Sequence, residues 1–309
     1  MTNKKIKGVF PVLVTPFKED GSLNCDVYRP YLKMLKEAGV DGVVAAGSTG
    51  ERFNLSNQDH KLTVEVVRKE LDDLKWDVPF VVGTSANSSD EAIKYAKHAE
   101  DNGADAVMIL PRFYPSGGPK GIVRAFKDDS GFVEHYGRIA DQINIPIMIY
   151  NNPSAVGTDL QPELLASISE RIDGGLVKES SGDMTRVQKI QRLTNYEMSV
   201  GCGYDPLALP MFMMDSDFWI APSANAIPSE CVELFHCANE SRFEEARILY
   251  DDVAPLLEYF EETGEYIALS KSALRLAGIP VGYPRGKGPL DPKMEKGLVS
   301  LIEQATFIE

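Results

Sequence analysis

No run of about 18 consecutive apolar residues occurs in this 309-residue chain, so no segment reads as a membrane-spanning helix. Cysteine is scarce as well. Four (Cys25, Cys202, Cys231, Cys237) in so long a chain make no disulfide framework, which agrees with a reducing compartment. Positive charge is in short supply: 32 Lys and Arg face 46 Asp and Glu, a net of −14. Nucleic acid is held by clustered cations that displace counterions, so it is excluded as a partner. Any anionic substrate must therefore be captured by local groups rather than by the overall field. The opening MTNKKIKGVFPVLVTPF lacks the apolar core and small-residue cleavage site of a secretory signal. The mature chain is expected to begin here and to work in the cytoplasm.

Metal ligands and phosphate loops are also missing as patterns. Cys231, His236 and Cys237 lie close together in CVELFHCAN, but helical spacing puts Cys231 and His236 on different faces. No second ligand pair follows, so a core helix is the reading and no metal or other cofactor is expected. His60, His98 and His135 stand alone in helical patterns and are given no catalytic role. VGYPRGKGPLDP (281–292) tempts toward a phosphate loop, yet G-x-x-x-x-G-K-[ST] is not satisfied and it follows a helix, which makes it a turn-rich linker. No G-x-G-x-x-G follows the first strand, which disfavours a doubly wound open sheet.

What is present is a βα rhythm. Eight β-rich runs recur at 8–14, 41–47, 79–85, 106–111, 146–151, 174–179, 197–203 and 217–223. Amphipathic segments such as NQDHKLTVEVVRKELDDL lie between them, and Ser88 followed by Asp90 and Glu91 reads as a helix start, with Gly103 as its stop. Strands this apolar face no water on either side, which means a parallel sheet covered by helices. Eight such strands close, so the expected fold is an α/β (β/α)8 TIM barrel over residues 1–238. Three helical patterns without further strands then predict a C-terminal helical domain over 239–309. The 112–131 segment is far longer than an ordinary βα loop, and such loops are usually functional or disordered.

In a parallel barrel the active site forms where the strands end at their carboxyl side. The residues there are Thr15, Gly47-Ser48-Thr49-Gly50, Thr84-Ser85, Pro111 to Tyr114, Tyr150-Asn151, Lys178, Gly203-Tyr204-Asp205 and Ser223. Hydroxyls dominate, beside a single amine. That inventory fits covalent amine catalysis with hydroxyl proton relays. Lys178, at the exit of an apolar strand, is the candidate nucleophile, and a dry barrel wall would have to lower its pKa toward ~7–8. The bland alternative is a lysine snorkelling past the strand end to water. Gly47 to Gly50 form a small-residue turn whose N–H groups can cradle a carboxylate, or merely an ordinary strand-to-helix turn. Tyr150 is either a proton shuttle linked through Ser48 or Thr49, or a rim phenol with some other partner.

G-S-T-G-E at 47–51, Y-N-N-P at 150–153 and K-E-S-S-G-D at 178–183, in this order, resemble the dihydrodipicolinate synthase / N-acetylneuraminate lyase family of class I pyruvate aldolases. The likeness spans nearly the whole chain. It implies a (β/α)8 barrel with a helical tail, a homotetramer, and a Schiff base between a lysine and pyruvate or another 2-keto acid, with an aldehyde as second substrate. By motif match Lys178 is the imine lysine and Tyr150 the proton relay, and Ser48 and Thr49 carry the carboxylate-binding and relay hydroxyls. Three departures bear on the second substrate. Synthases of the family place an arginine shortly after Y-N-x-P, where this chain has Ser154-Ala155-Val156-Gly157. Their P-Y-Y segment, which lends a tyrosine to the neighbouring subunit, is Pro111-Arg112-Phe113-Tyr114-Pro115 here, with Phe113 at the matching position unless Tyr114 or the long loop substitutes. Gly203-Tyr204-Asp205 is closer to the sugar-acid lyases, although Pro206 stands where a second acid is common.

The expected activity is therefore cleavage or condensation of a 2-keto-3-deoxy sugar acid with pyruvate. Asp205 and Ser223 would face the hydroxylated tail, Gly203 and Tyr114 would line the site, and Arg112 or Arg124 would reach a distal carboxylate. The alternatives are 4-hydroxy-tetrahydrodipicolinate synthase, joining pyruvate to aspartate semialdehyde, and an imine-forming dehydratase or deaminase. A keto-acid-binding regulatory barrel without catalysis is the reading from outside enzymology.

Overall fold

The computed structural model describes residues 5–115, 122–124 and 128–306. All eight strands read from the sequence form, each shorter than its apolar run: β1 (Gly8–Pro11), β2 (Val43–Ala45), β3 (Phe80–Gly83), β4 (Ala106–Ile109), then β7 (Ile147–Asn151), β8 (Leu176–Glu179), β9 (Ser199–Cys202) and β10 (Phe218–Ala221). Between β4 and β7 lies an added pair, β5 (Phe113–Pro115) and β6 (Ile122–Arg124), which pair antiparallel outside the barrel. The eight main strands are parallel in the order β1-β10-β9-β8-β7-β4-β3-β2. A parallel bridge between Val12 and Val44, with Leu13 N–H donating to the Val44 carbonyl at 2.8 Å, joins β1 to β2.

Strand residues alternate between two cores because successive side chains point to opposite faces. Phe10, Val44, Val81, Met108, Met148, Leu176 and Ile220 fill the barrel interior. Val9, Val43, Val82, Val107, Ile149 and Val177 face the surrounding helices. The same alternation puts Tyr150 two residues beyond Met148, and Lys178 two beyond Leu176, on the inner face. In register, Tyr150 is the direct neighbour of Lys178.

The covering helices are α1 (Tyr28–Glu37), α2 (Asn57–Asp73), α3 (Ser89–Asp101), α4 (Ser130–Ala140), the short α5 (Pro153–Val156), α6 (Pro162–Ile172), α7 (Arg186–Leu193), α8 (Ala208–Phe212) and α9 (Pro228–Asn239). Their starts follow capping chemistry: Ser56 and Asp59 close a capping box on α2, and the Ser88 hydroxyl accepts from the Glu91 N–H at 3.1 Å. Cys231 and Cys237 are buried on α9, in the core-helix role their spacing predicts.

The tail is α10 (Phe243–Glu262), α11 (Tyr266–Leu276) and α12 (Pro292–Thr306). It bears on the barrel directly: α10 packs on α9 and on the turn at 205–207, and α11 packs on the turn at 223–225. The 281–291 stretch is irregular, as read, and is pinned by Arg285. That guanidinium reaches Asp59 Oδ2 at 2.8 Å and the Gly21 carbonyl at 2.9 Å, and lies 4.3 Å from the Phe17 ring centre. Among the described residues no helix is long and apolar enough to cross a membrane.

Candidate active site

A cleft at the carboxyl ends of the strands is lined by Ser48, Thr49, Tyr150, Lys178, Gly203 and Tyr204, with Glu261 and Tyr266 of the tail closing one side. Its cavity volume is ≈ 50 Å³. Hollows of ≈ 360 and ≈ 430 Å³ exist elsewhere, around Arg285 and around Thr158, but neither contains the strand-end amine.

Lys178 is 4% exposed, so it does not snorkel to water. Its ammonium lies 4.0 Å from the centre of the Tyr150 ring. Space for its stem comes from Gly203 on the adjacent strand: a Cβ there would stand 2.5 Å from Lys178 Cγ, 2.6 Å from its Cε and in collision with Ser180 Oγ. The Tyr150 hydroxyl accepts from Asn152 Nδ2 at 2.9 Å. Asn152 is itself held, its Oδ1 accepting from Ser154 Oγ at 2.7 Å and from the Ala155 N–H at 3.2 Å. With its acceptor side engaged, the phenol keeps its proton free to point into the cleft.

The 47–50 turn is tied from three sides. Thr15 Oγ1 donates to the Gly50 carbonyl at 2.6 Å, and the Glu51 and Arg52 N–H groups donate to Ser48 and Gly47. Glu51 has a left-handed backbone, and its carboxylate meets Lys271 Nζ of α11 at 2.8 Å. Lys271 is a second buried lysine, fully enclosed. It is a poor nucleophile candidate, because its ammonium is occupied by Glu51, the Tyr283 carbonyl at 2.9 Å and the Phe17 ring, and it does not line the cleft. Burial lowers its pKa to about 8 despite Glu51.

Several expected site residues stand elsewhere. Gly47 and Gly50 do not line the cleft. A side chain at Gly47 would strike Val12, and one at Gly50 the Leu13 carbonyl, both in the segment that follows β1. Asp205 and Ser223 are fully buried behind the cleft rather than facing it. The Asp205 carboxylate accepts from Trp219 Nε1 at 2.8 Å and from the Ser223 N–H at 3.1 Å. Arg112 donates to the Asn87 carbonyl at 3.1 Å and is not in the lining. The side chains of Phe113, Tyr114 and Arg124 lie outside the described residues. Sequence reasoning missed Asn152 and Ser180, which sit inside the quoted motifs, missed Ser154 just after one of them, and missed Glu261 and Tyr266 for want of any local signal.

A parallel barrel enclosing an unpaired amine beside a phenol, at the end where its loops gather, defines an enzyme of the imine-forming class. The chain belongs to the dihydrodipicolinate synthetase family, whose model matches residues 5–305. A 4-hydroxy-tetrahydrodipicolinate synthase from Methanothrix thermoacetophila is 35% identical over 302 residues, covering 97% of this chain and 96% of that protein. Among crystal structures, a dihydrodipicolinate synthase is 31% identical with a TM-score of 0.86, over 98% of this chain and all of that one. The Acinetobacter baumannii enzyme, solved with pyruvate, is 26% identical with a TM-score of 0.87, over 98% of this chain and all of that one. Members of the family are carbon–carbon lyases that work through a lysine Schiff base, and this chain is a class I aldolase of that kind.

Proposed function

We propose that the chain joins or separates pyruvate and an aldehyde through a Schiff base on Lys178. The enclosed Lys178 amine, set against the Tyr150 ring in a cleft also lined by Ser48 and Thr49, carries this reading. The neutral amine adds to the ketone carbon of pyruvate, and loss of water leaves an imine that withdraws electrons. Tyr150, which gives its proton to the departing water, takes one back from the methyl group to form an enamine, whose carbon bonds to the aldehyde carbon. The aldehyde oxygen takes a proton from Tyr150, water then adds to the imine, and Lys178 is freed. Ser48 and Thr49 hold the keto-acid carboxylate with their hydroxyls and backbone N–H groups, and Asn152 keeps Tyr150 aimed. Each step runs backwards for cleavage.

For the aldehyde, a hydroxylated fragment of a 2-keto-3-deoxy acid is the first reading. No arginine lines the cleft among the described residues, so a second carboxylate finds no cation there. Aspartate semialdehyde is the second reading, supported by the names of the archaeal relatives. The family also supports assembly as a homotetramer and work in the cytoplasm. Turnover should be measured with aspartate semialdehyde and with hydroxylated aldehydes, each with pyruvate and with Lys178→Ala as control. Product from hydroxylated aldehydes alone supports the first reading. Aspartate semialdehyde as the sole good substrate replaces it with the second.

A further inference from the structure

The cleft is completed by a residue from outside the barrel. Glu261 stands in the last turn of α10, and α10 reaches the strand ends because it packs on the 205–207 turn. Glu261 joins Tyr204 and Tyr266 in the lining, near enough to Lys178 for their charges to interact. Ser154, Ser180, Tyr204 and Tyr266 add hydroxyls to the lining, and Glu261 is its one acidic group among the described residues. Tyr250 of the same helix donates to the Pro206 carbonyl, which anchors α10 over the turn.

We propose that Glu261 is the specificity residue for the aldehyde half, accepting hydrogen bonds from the hydroxyls of an uncharged polyhydroxylated aldehyde and repelling aldehydes that carry a carboxylate. The inference rests on the reading of Lys178 as the imine lysine. Lys178 is the lining's one cation among the described residues, and it is neutral in the enamine that meets the aldehyde, so no described group there offsets the repulsion. Hydrogen bonds to a carboxylate are stronger than those to a neutral acceptor, which gives Glu261 the means to select. Burial and the Asp205 carboxylate push its pKa up to about 7 against the pull of Lys178, so the group is the repelling carboxylate above that pH, and the selection is read at about pH 8.

Glu261→Gln keeps the shape and removes the charge. With D-glyceraldehyde and glyoxylate as paired probes, the native enzyme should prefer glyceraldehyde. The variant should lose on the order of tenfold in kcat/KM for glyceraldehyde, mostly in the aldehyde's KM, and gain for glyoxylate. Glu261→Asp should recover part of the native preference. Borohydride fixation of pyruvate on Lys178 should still occur in the Gln variant, which shows that the imine step survives the substitution. Fixation in the variant with an unchanged aldehyde preference would overturn the role of Glu261 alone. No fixation in the native protein would overturn the Schiff-base reading beneath it.

Discussion

Replacing Gly203 with alanine tests whether the lysine's reach depends on a missing side chain. A Cβ at 203 would sit 2.5 and 2.6 Å from two carbons of Lys178, well inside ordinary contact near 3.5 Å or more. Gly203, just past the end of β9, is held by its N–H donating to the Glu179 carbonyl at 2.9 Å, so the Lys178 stem and Ser180 must yield. Moving the stem out of contact shifts its amine by about 1 Å. Misplacement of a reacting group on that scale costs roughly 10²-fold in rate, and overpacking costs about 1–3 kcal/mol of stability. The assay is the rate at which borohydride fixes pyruvate to the protein, which needs no knowledge of the second substrate. Thermal melts alongside it show that the variant is folded. A Gly203→Ala protein that is trapped within about threefold of the native rate would refute the packing argument, taking the roughly 10²-fold expectation as the yardstick.

Three further outcomes follow from the same geometry. Tyr150→Phe should lower turnover by about 10²–10⁴ while leaving pyruvate able to bind, and a near-native rate would remove Tyr150 from the proton path. Lys271→Met strands the Glu51 carboxylate in the core and should cost about 3–5 kcal/mol in urea denaturation, whereas a cost under about 1 kcal/mol would show the pair to be dispensable. His60 and His135 are buried with pKa values lowered by burial to about 3 and about 4, so they stay neutral in the folded chain while the unfolded chain takes up protons below about 6.5. Their contribution is present in full above pH ~6.5 and fades as pH falls toward 4 and 3, losing about 2 kcal/mol each by pH 5. A denaturation midpoint that is the same at pH 7 and pH 5 would contradict this.

Much of the architecture was legible because it obeys short-range rules. The eight apolar runs mark the barrel strands, and period-two alternation from Leu176 and Met148 puts Lys178 and Tyr150 on the inner wall. The Ser88 cap and the three tail helices follow from local pattern as well. The failures share a cause, which is that the sequence does not state which side of a turn faces a cavity. Asp205 follows a strand end as an active-site residue should, yet its carboxylate turns inward to Trp219. Gly47 and Gly50 look like a ligand cradle, and nothing in the sequence signals that Val12 and Leu13, just past β1, also leave no room for a side chain there. Glu261 and Tyr266 lie some 80 residues beyond Lys178 by sequence number and enter the site only because α10 and α11 fold back over the strand ends. The β5–β6 pair was hidden in a stretch whose Pro and Gly content reads as loop.

The central claim is that one particular amine of two buried lysines performs the chemistry. Lys178 opens onto the cleft, while Lys271 is spent on Glu51 and the Tyr283 carbonyl. Incubation with pyruvate and borohydride, followed by peptide mapping, tests it most directly. The account predicts a reduced pyruvate adduct on the peptide containing Lys178 and none on the peptide containing Lys271, with the adduct lost in Lys178→Ala. An adduct on Lys271, or no adduct at all on the native protein, would contradict it.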